Sequence, residues 1–152
     1  MTKTYQHTFF RQMGNVLATT LVRAGVKMGP IHLLTVRGRK SGEPRTTPIA
    51  VVEQNGQRYL IAPYGVVNWV RNLRAAGEAT LTHGRRSEAI TVVELAPEAA
   101  APVLKRSIEN GGGGGFTQGY FNVSAESSLA DFEREALEHP VFQIVSSQQV
   151  SS

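Results

Sequence analysis

Residues 31–62 read IHLLTVRGRKSGEPRTTPIAVVEQNGQRYLIA, and this stretch decides the fold. Ile31 to Arg37 is a short run rich in apolar and β-branched residues, the composition of a strand. A loop of glycines and cations interrupts it, and a second such run follows from Thr47 to Glu53. Asn55-Gly56 comes next, a pair that accepts the positive φ angles of a type I′ turn, so Arg58 to Ala62 is read as a third strand folded back on the second.

Working outward, Asn68 to Ala76 reads as a helix with Asn68 as N-cap and Gly77 as stop. Strands are expected near Ala79 to Thr82 and Glu88 to Leu95, joined through Gly84. Pro97 opens a helix to about Glu109, with Pro102 as an alternative marker of its first turn. The five glycines Gly111 to Gly115 make a mobile loop. Ser128 with Asp131 starts a helix through Glu138, and Val141 to Val145 reads as a last strand before a frayed Ser/Gln tail. Upstream, Tyr5, Phe9, Met13, Val16, Leu17, Leu21 and Ala24 recur at helical spacing, so residues 5 to 24 are an amphipathic helix ended by Gly25 and Gly29-Pro30. The expected architecture is α+β and mainly β: a small β-barrel or sandwich with helices packed outside, as one domain over residues 1–152. Alternating βαβ units are absent, which argues against a Rossmann-type sheet.

The 152 residues suffice for one sizeable core, and the 41% hydrophobic and 18% charged content is that of a globular chain. Lys and Arg outnumber Asp and Glu by 16 to 12, an excess that suits an anionic partner. The absence of cysteine excludes disulfides, thiolate metal sites, iron–sulfur clusters and cysteine nucleophiles. No stretch reaches the length of a membrane span and no signal layout opens the chain, so a cytoplasmic protein is expected.

Four cations, Arg37, Arg39, Lys40 and Arg45, fall within nine residues and share them with Gly38, Gly42 and Ser41. Glycine lets the backbone approach an anion closely, Arg offers a planar fork, Lys a point charge and Ser a hydroxyl. A solvated basic hairpin and a single-strand nucleic-acid patch compete with an anion site on this composition. The spacing matches neither the P-loop nor GxGxxG. Further on, Trp69, the single tryptophan, stands between Asn68 and Asn72. Amides beside a flat ring suit a planar heterocycle, although a core tryptophan explains the same residue.

Leu34 to Pro48 together with Asn68-Trp69-Val70-Arg71-Asn72-Leu73-Arg74-Ala75-Ala76-Gly77 resembles the two signature blocks of the deazaflavin-dependent nitroreductase family. The resemblance is specific over about residues 30 to 95 and implies a split β-barrel (FMN-binding-like) that binds coenzyme F420. It implies that Arg39, Lys40 and Ser41, with Arg45 beside them, hold the phosphate end. Thr46, Thr47, Pro48, Ile49 and Ala50 would run along the deazaflavin, and Ala62, Pro63, Tyr64 and Gly65 would form a strand-to-loop wall. Asn68, Trp69, Val70, Arg71, Asn72 and Leu73 would close the site. One departure is the short Tyr64-Gly65-Val66-Val67 loop, where nitroimidazole-reducing members often carry a longer polar one.

The implied reaction is hydride transfer from reduced F420 to a small conjugated acceptor such as a quinone, enone or nitro compound. An FMN-binding reductase on the same barrel, and a non-catalytic cofactor- or nucleic-acid-binding module, are the alternatives. On the substrate side, Phe116, Tyr120 and Phe121 follow the glycine run, and residues 111–127 are expected to form a mobile lid over the acceptor. Tyr120 is the candidate catalytic proton donor or substrate hydrogen bonder. His7, His32, His83 and His139 are scattered, so no metal is expected. The expected partner is a small-molecule electron acceptor and not nucleic acid. The N-terminal helix (1–29) leaves room for a peripheral membrane contact at the inner face or for a homodimer.

Overall fold

A computed structural model describes residues 31–109 and 127–150. The expected N-terminal helix and the glycine-rich segment with Phe116, Tyr120 and Phe121 lie outside the described residues. Among the described residues, six strands and three helices occur in the order β1 (Ile31–Arg37), β2 (Pro44–Gln54), β3 (Gln57–Ile61), α1 (Asn68–Ala76), β4 (Glu78–His83), β5 (Arg86–Glu94), α2 (Pro97–Glu109), α3 (Leu129–Glu138) and β6 (Val141–Val150). The strands close into an antiparallel barrel in the order β1-β2-β3-β6-β5-β4. None of the described helices is long and apolar enough to cross a membrane.

The β2–β3 hairpin turns through Asn55 and Gly56 at φ 51° and 76°, as the Asn-Gly pair demands. Strand alternation then sends one face of each strand inward. Leu34, Leu60, Leu81, Ile90 and Phe142 meet in the barrel interior and are almost fully buried. Burying one such side chain contributes about 1.5–3 kcal/mol, so this interior is the main source of stability.

β2 pairs with β3 only from Val51↔Leu60 to Gln54↔Gln57. Above Val51 the two part, and the chain after Ile61 leaves the sheet to enter α1. That helix caps the upper end of the barrel. Trp69, Val70 and Leu73 form its apolar stripe and join the interior, with the Trp69 ring 6.1 Å from that of Phe142. Gly77 ends the helix at φ 71°, its N–H donating to the Leu73 carbonyl at 2.8 Å. Arg74 fastens the helix to the rim of β5 with two 2.8 Å bonds to Glu94. The N-cap is Val67, not Asn68: Asn68 is the exposed first helical residue, and no side chain caps the helix. The Val67 carbonyl accepts from Val70 and Arg71 at 3.1 and 3.2 Å, which starts the helix one residue early for an Asn68 cap.

α2 and α3 build a second core on the outer side of β3 and β6, where Ala100, Leu104, Ile108, Phe132 and Val141 pack with Tyr59 and Ile61. Pro102 stands inside α2 on its exposed side, so the helix begins at Pro97. Ser128 and Asp131 form the anticipated capping box of α3.

The tail from Ser146 to Val150 is not frayed. Ser146 to Val150 continue β6 and pair with Thr91 to Ser87 of β5, past a register shift at Thr91/Val92. Strand pairing is made by backbone groups, so a polar Ser/Gln segment extends the sheet without an apolar pattern. β2 likewise starts at Pro44 and takes Arg45 into the sheet.

At the lower end Arg58 donates to both Glu88 oxygens at 3.0 and 2.6 Å, and Ser147 donates to the same carboxylate. His32 and His83 stack there with ring centroids 4.2 Å apart. Arg85 and Arg86 lie at the β4–β5 turn of this end, whereas the basic Arg37–Arg45 segment follows β1 at the other. They therefore do not reinforce that segment.

Candidate cofactor-binding site

The loop between β1 and β2 is a tight, internally bonded turn. Gly38 N–H donates to Glu43 O at 2.7 Å, Gly42 N–H to Gly38 O at 2.9 Å, and Glu43 N–H to Ser41 Oγ at 3.2 Å. A Cβ at position 38 would stand 3.0 Å from Ser41 Oγ and 3.1 Å from Glu43 O, and Gly42 has φ +76°. Both glycines are therefore required by the turn's shape. The charged residues at its tip, Arg39 and Lys40, are exposed.

α1 holds this turn from below. Asn72 is 4% exposed, and its Oδ1 accepts from the Arg39 backbone N–H at 3.2 Å and from Arg39 Nη1 at 2.8 Å. One buried amide oxygen thus sets both the backbone and the guanidinium of the residue nominated for phosphate, leaving further guanidinium donors for a ligand.

A groove of about 1090 Å³ opens beneath the turn. Arg37, Arg39, Lys40 and Ser41 stand at its head, and Thr35, Thr80, Ala89, Thr91, Ser146 and Gln148 lie along it. These last residues come from four strands but share one face, through the pairings Thr35↔Thr80, Thr80↔Ala89, Ala89↔Gln148 and Thr91↔Ser146. The hydroxyls of Thr35 and Thr46 are 2.9 Å apart, which links the groove to the upper part of β2.

The nominated residues separate into three groups. Arg39, Lys40 and Ser41 come together at the groove, and Arg45 is beside them, its Cγ 3.7 Å from the position of a Gly38 Cβ. Thr46, Pro48 and Ala50 are half-buried and alternate with Thr47 and Ile49 along β2. They lie on the part of β2 beyond its pairing with β3, which ends at Val51↔Leu60, and residues 62–65 follow the end of β3. Ala62 is buried, Pro63 and Tyr64 are half-buried, and Gly65 sits at φ +90°.

The third group divides by burial. Trp69, Val70 and Leu73 are packed in the barrel interior, and so is Ile49. The spacing 69, 70, 73 is one helical face, and that face is used to plug the barrel. Thr47 pairs with Leu34 and so shares the inward side with Ile49. Asn68 and Arg71 are exposed, and Asn72 acts on Arg39. The groove also takes in Thr80, Thr91, Ser146 and Gln148, which the sequence reading did not nominate. Their common signal is small polar residues at alternate strand positions, which acquires meaning only with the register.

A closed six-stranded antiparallel barrel with helices packed outside it is the framework of split-barrel flavin and deazaflavin proteins. The model of the F420H(2)-dependent quinone reductase family matches residues 5–126, and the chain belongs to that family. It is accordingly an F420-dependent oxidoreductase. Among solved structures, an F420-H2 dependent reductase (FDR-A) is 26% identical, with a TM-score of 0.52 over 76% of this chain and 94% of that one. A chain described as a domain-swapped dimer is 23% identical, with a TM-score of 0.53 over 90% and 96%. A chain from Listeria innocua, provisionally assigned as a pyridoxamine 5′-phosphate oxidase, shares the fold at 11% identity, with a TM-score of 0.51 over 90% and 98%. Comparison with curated proteins gives no match.

Proposed function

We propose that the Arg39–Ser41 turn holds the phosphate-bearing end of F420, and that the opening between upper β2 and Ala62–Gly65 receives its ring for reduction of a quinone-like acceptor. The observation that carries this reading is the Asn72 clamp on Arg39, which organises a cationic turn before any ligand arrives. Preorganisation of this kind lowers the ordering cost of binding an anion. The residues fit the group: Gly38 and Gly42 permit close backbone approach, and Arg37, Arg39 and Lys40 offset phosphate and carboxylate charge at the groove head.

Bound reduced F420 supplies the hydride. The chain's own part is to bind, orient and exclude water. In this reading the half-buried Thr46, Pro48 and Ala50 give the ring a mixed polar and apolar edge, and the half-buried Pro63 and Tyr64 supply the opposite wall. Reducing a quinone carbonyl also requires a proton, and Tyr120 is the sequence-derived donor; Tyr120→Phe should lower turnover with F420 affinity intact.

The test is titration of the purified protein with F420 and, separately, FMN, followed by calorimetry and by the deazaflavin's own fluorescence, with menadione reduction by F420H2 as the activity. F420 binding with quinone turnover is expected. Tight FMN binding with no F420 binding would overturn the reading.

A further inference from the structure

The corner joining α3 to β6 carries a buried acid–histidine pair that the cofactor turn does not use. Glu135 and His139 are 5% and 3% exposed, and Glu135 Oε1 lies 3.3 Å from His139 Nε2. The other ring nitrogen, Nδ1, is 2.9 Å from the Ala62 carbonyl, so Nδ1–H donates to it. That carbonyl also accepts from Gly65 N–H at 3.3 Å, which closes the turn Ala62–Gly65. The Ala62 N–H donates in turn to Pro140 O at 3.0 Å. Both backbone groups of Ala62 are therefore held by consecutive residues of one corner.

The consequence extends along the chain. The turn continues into Val67, whose carbonyl starts α1, and α1 carries Asn72 to Arg39. Gly65 also approaches this corner, since a Cβ there would stand 3.4 Å from Glu138 O. A buried ionisable pair is a costly way to fill space, because apolar residues of similar volume would stabilise as well. What the pair supplies that apolar residues cannot is a donor aimed at one carbonyl.

We infer that His139, packed beside Glu135, is a positioning residue for F420: through its bond to the Ala62 carbonyl it sets the Ala62–Gly65 wall and, through α1, the register of the cationic turn. This rests on the cofactor site proposed above.

The test compares His139→Asn with His139→Gln. Asn places its amide nitrogen where Nδ1 stands and keeps the bond to Ala62, whereas Gln places its polar atoms further out, towards Glu135. His139→Asn should hold F420 Kd and KM within about twofold of the parent. His139→Gln should raise both about tenfold, the equivalent of one well-made hydrogen bond, with a smaller change in kcat. Thermal midpoints of the two should agree within a few degrees. Glu135→Ala, which frees the ring on one side only, should cost about threefold and serves if His139→Gln fails to fold. Losses that follow the thermal midpoint equally in Asn and Gln would make the corner merely structural and overturn the inference. So would unchanged affinity in both His139→Gln and Glu135→Ala. Lys40→Ala is the control: weakened F420 binding there with unchanged binding in both His139→Gln and Glu135→Ala sinks this inference alone, whereas unchanged binding in Lys40→Ala sinks the cofactor site with it.

Discussion

Asn72→Ala is the substitution that most directly tests how the cationic turn is made. It removes one buried oxygen and with it two bonds to Arg39, at 3.2 and 2.8 Å. A bond to a guanidinium contributes about 1.5–3 kcal/mol and a backbone bond about 1 kcal/mol. Arg39 is exposed, however, and water replaces part of what is lost. A net loss of about 2 kcal/mol follows, which for a chain of this size lowers Tm by about 4–8 °C. The same loss removes the preset arrangement of Arg39, so F420 must order the turn on binding. Kd should then rise about tenfold to thirtyfold, at about 1.4 kcal/mol per factor of ten. Fluorescence titration of F420 against parent, Asn72→Ala and Asn72→Asp reads this directly. The aspartate keeps an acceptor facing Arg39 and should bind within about threefold of the parent. Parental affinity in Asn72→Ala at a lowered Tm would refute the reasoning, because Asn72 would then hold the fold and not the site.

Three further outcomes follow from particular contacts. Lys40→Ala should weaken F420 binding about tenfold and flatten its dependence on salt, measured by titration at low and high ionic strength, since an exposed cation acts through screened charge. The Arg58 guanidinium hydrogen-bonded to Glu88 holds that carboxyl below the usual carboxylate range, with Ser147 and the charges of Arg58 and His32 adding to it against burial. Ionised Glu88 is thus favoured in the folded state, and its contribution is complete above the unfolded value of 4.5 and lost as pH falls through the folded one. Scanning calorimetry should show Tm falling on acidification below that value, less steeply in Glu88→Gln. Deletion of residues 146–152 removes the β6 segment paired with Ser87 to Thr91 and should open the barrel seam, seen as fast amide exchange along β5 and a broadened unfolding transition.

The site was legible where chemistry and sequence neighbourhood coincide. Arg39, Lys40 and Ser41 are adjacent in the chain, and a turn of that length has few ways to separate them. Gly38 and Gly42 announce the turn because each is forced, one by lack of room and the other by positive φ. The groove along the barrel was not legible, since Thr35, Thr80, Thr91 and Gln148 become neighbours only through three strand pairings. Trp69 is ambiguous for a related reason. A tryptophan between two asparagines is equally consistent with a ligand wall and with a core residue, and only the fold shows its ring packed against the barrel interior.

The sequence by itself determined the β1–β2–β3 hairpins, the Asn55-Gly56 turn, the extent of α1 and the α3 capping box. Each of these depends on residues a few positions apart, and local sterics, propensity and capping decide them. Tertiary structure decided that a polar tail becomes the strand pairing with β5, that Asn72 serves Arg39, and that His139 reaches Ala62 from 77 positions away in the chain. Those outcomes turn on backbone pairing and on which buried polar groups find partners, and neither is written in any local pattern of side chains.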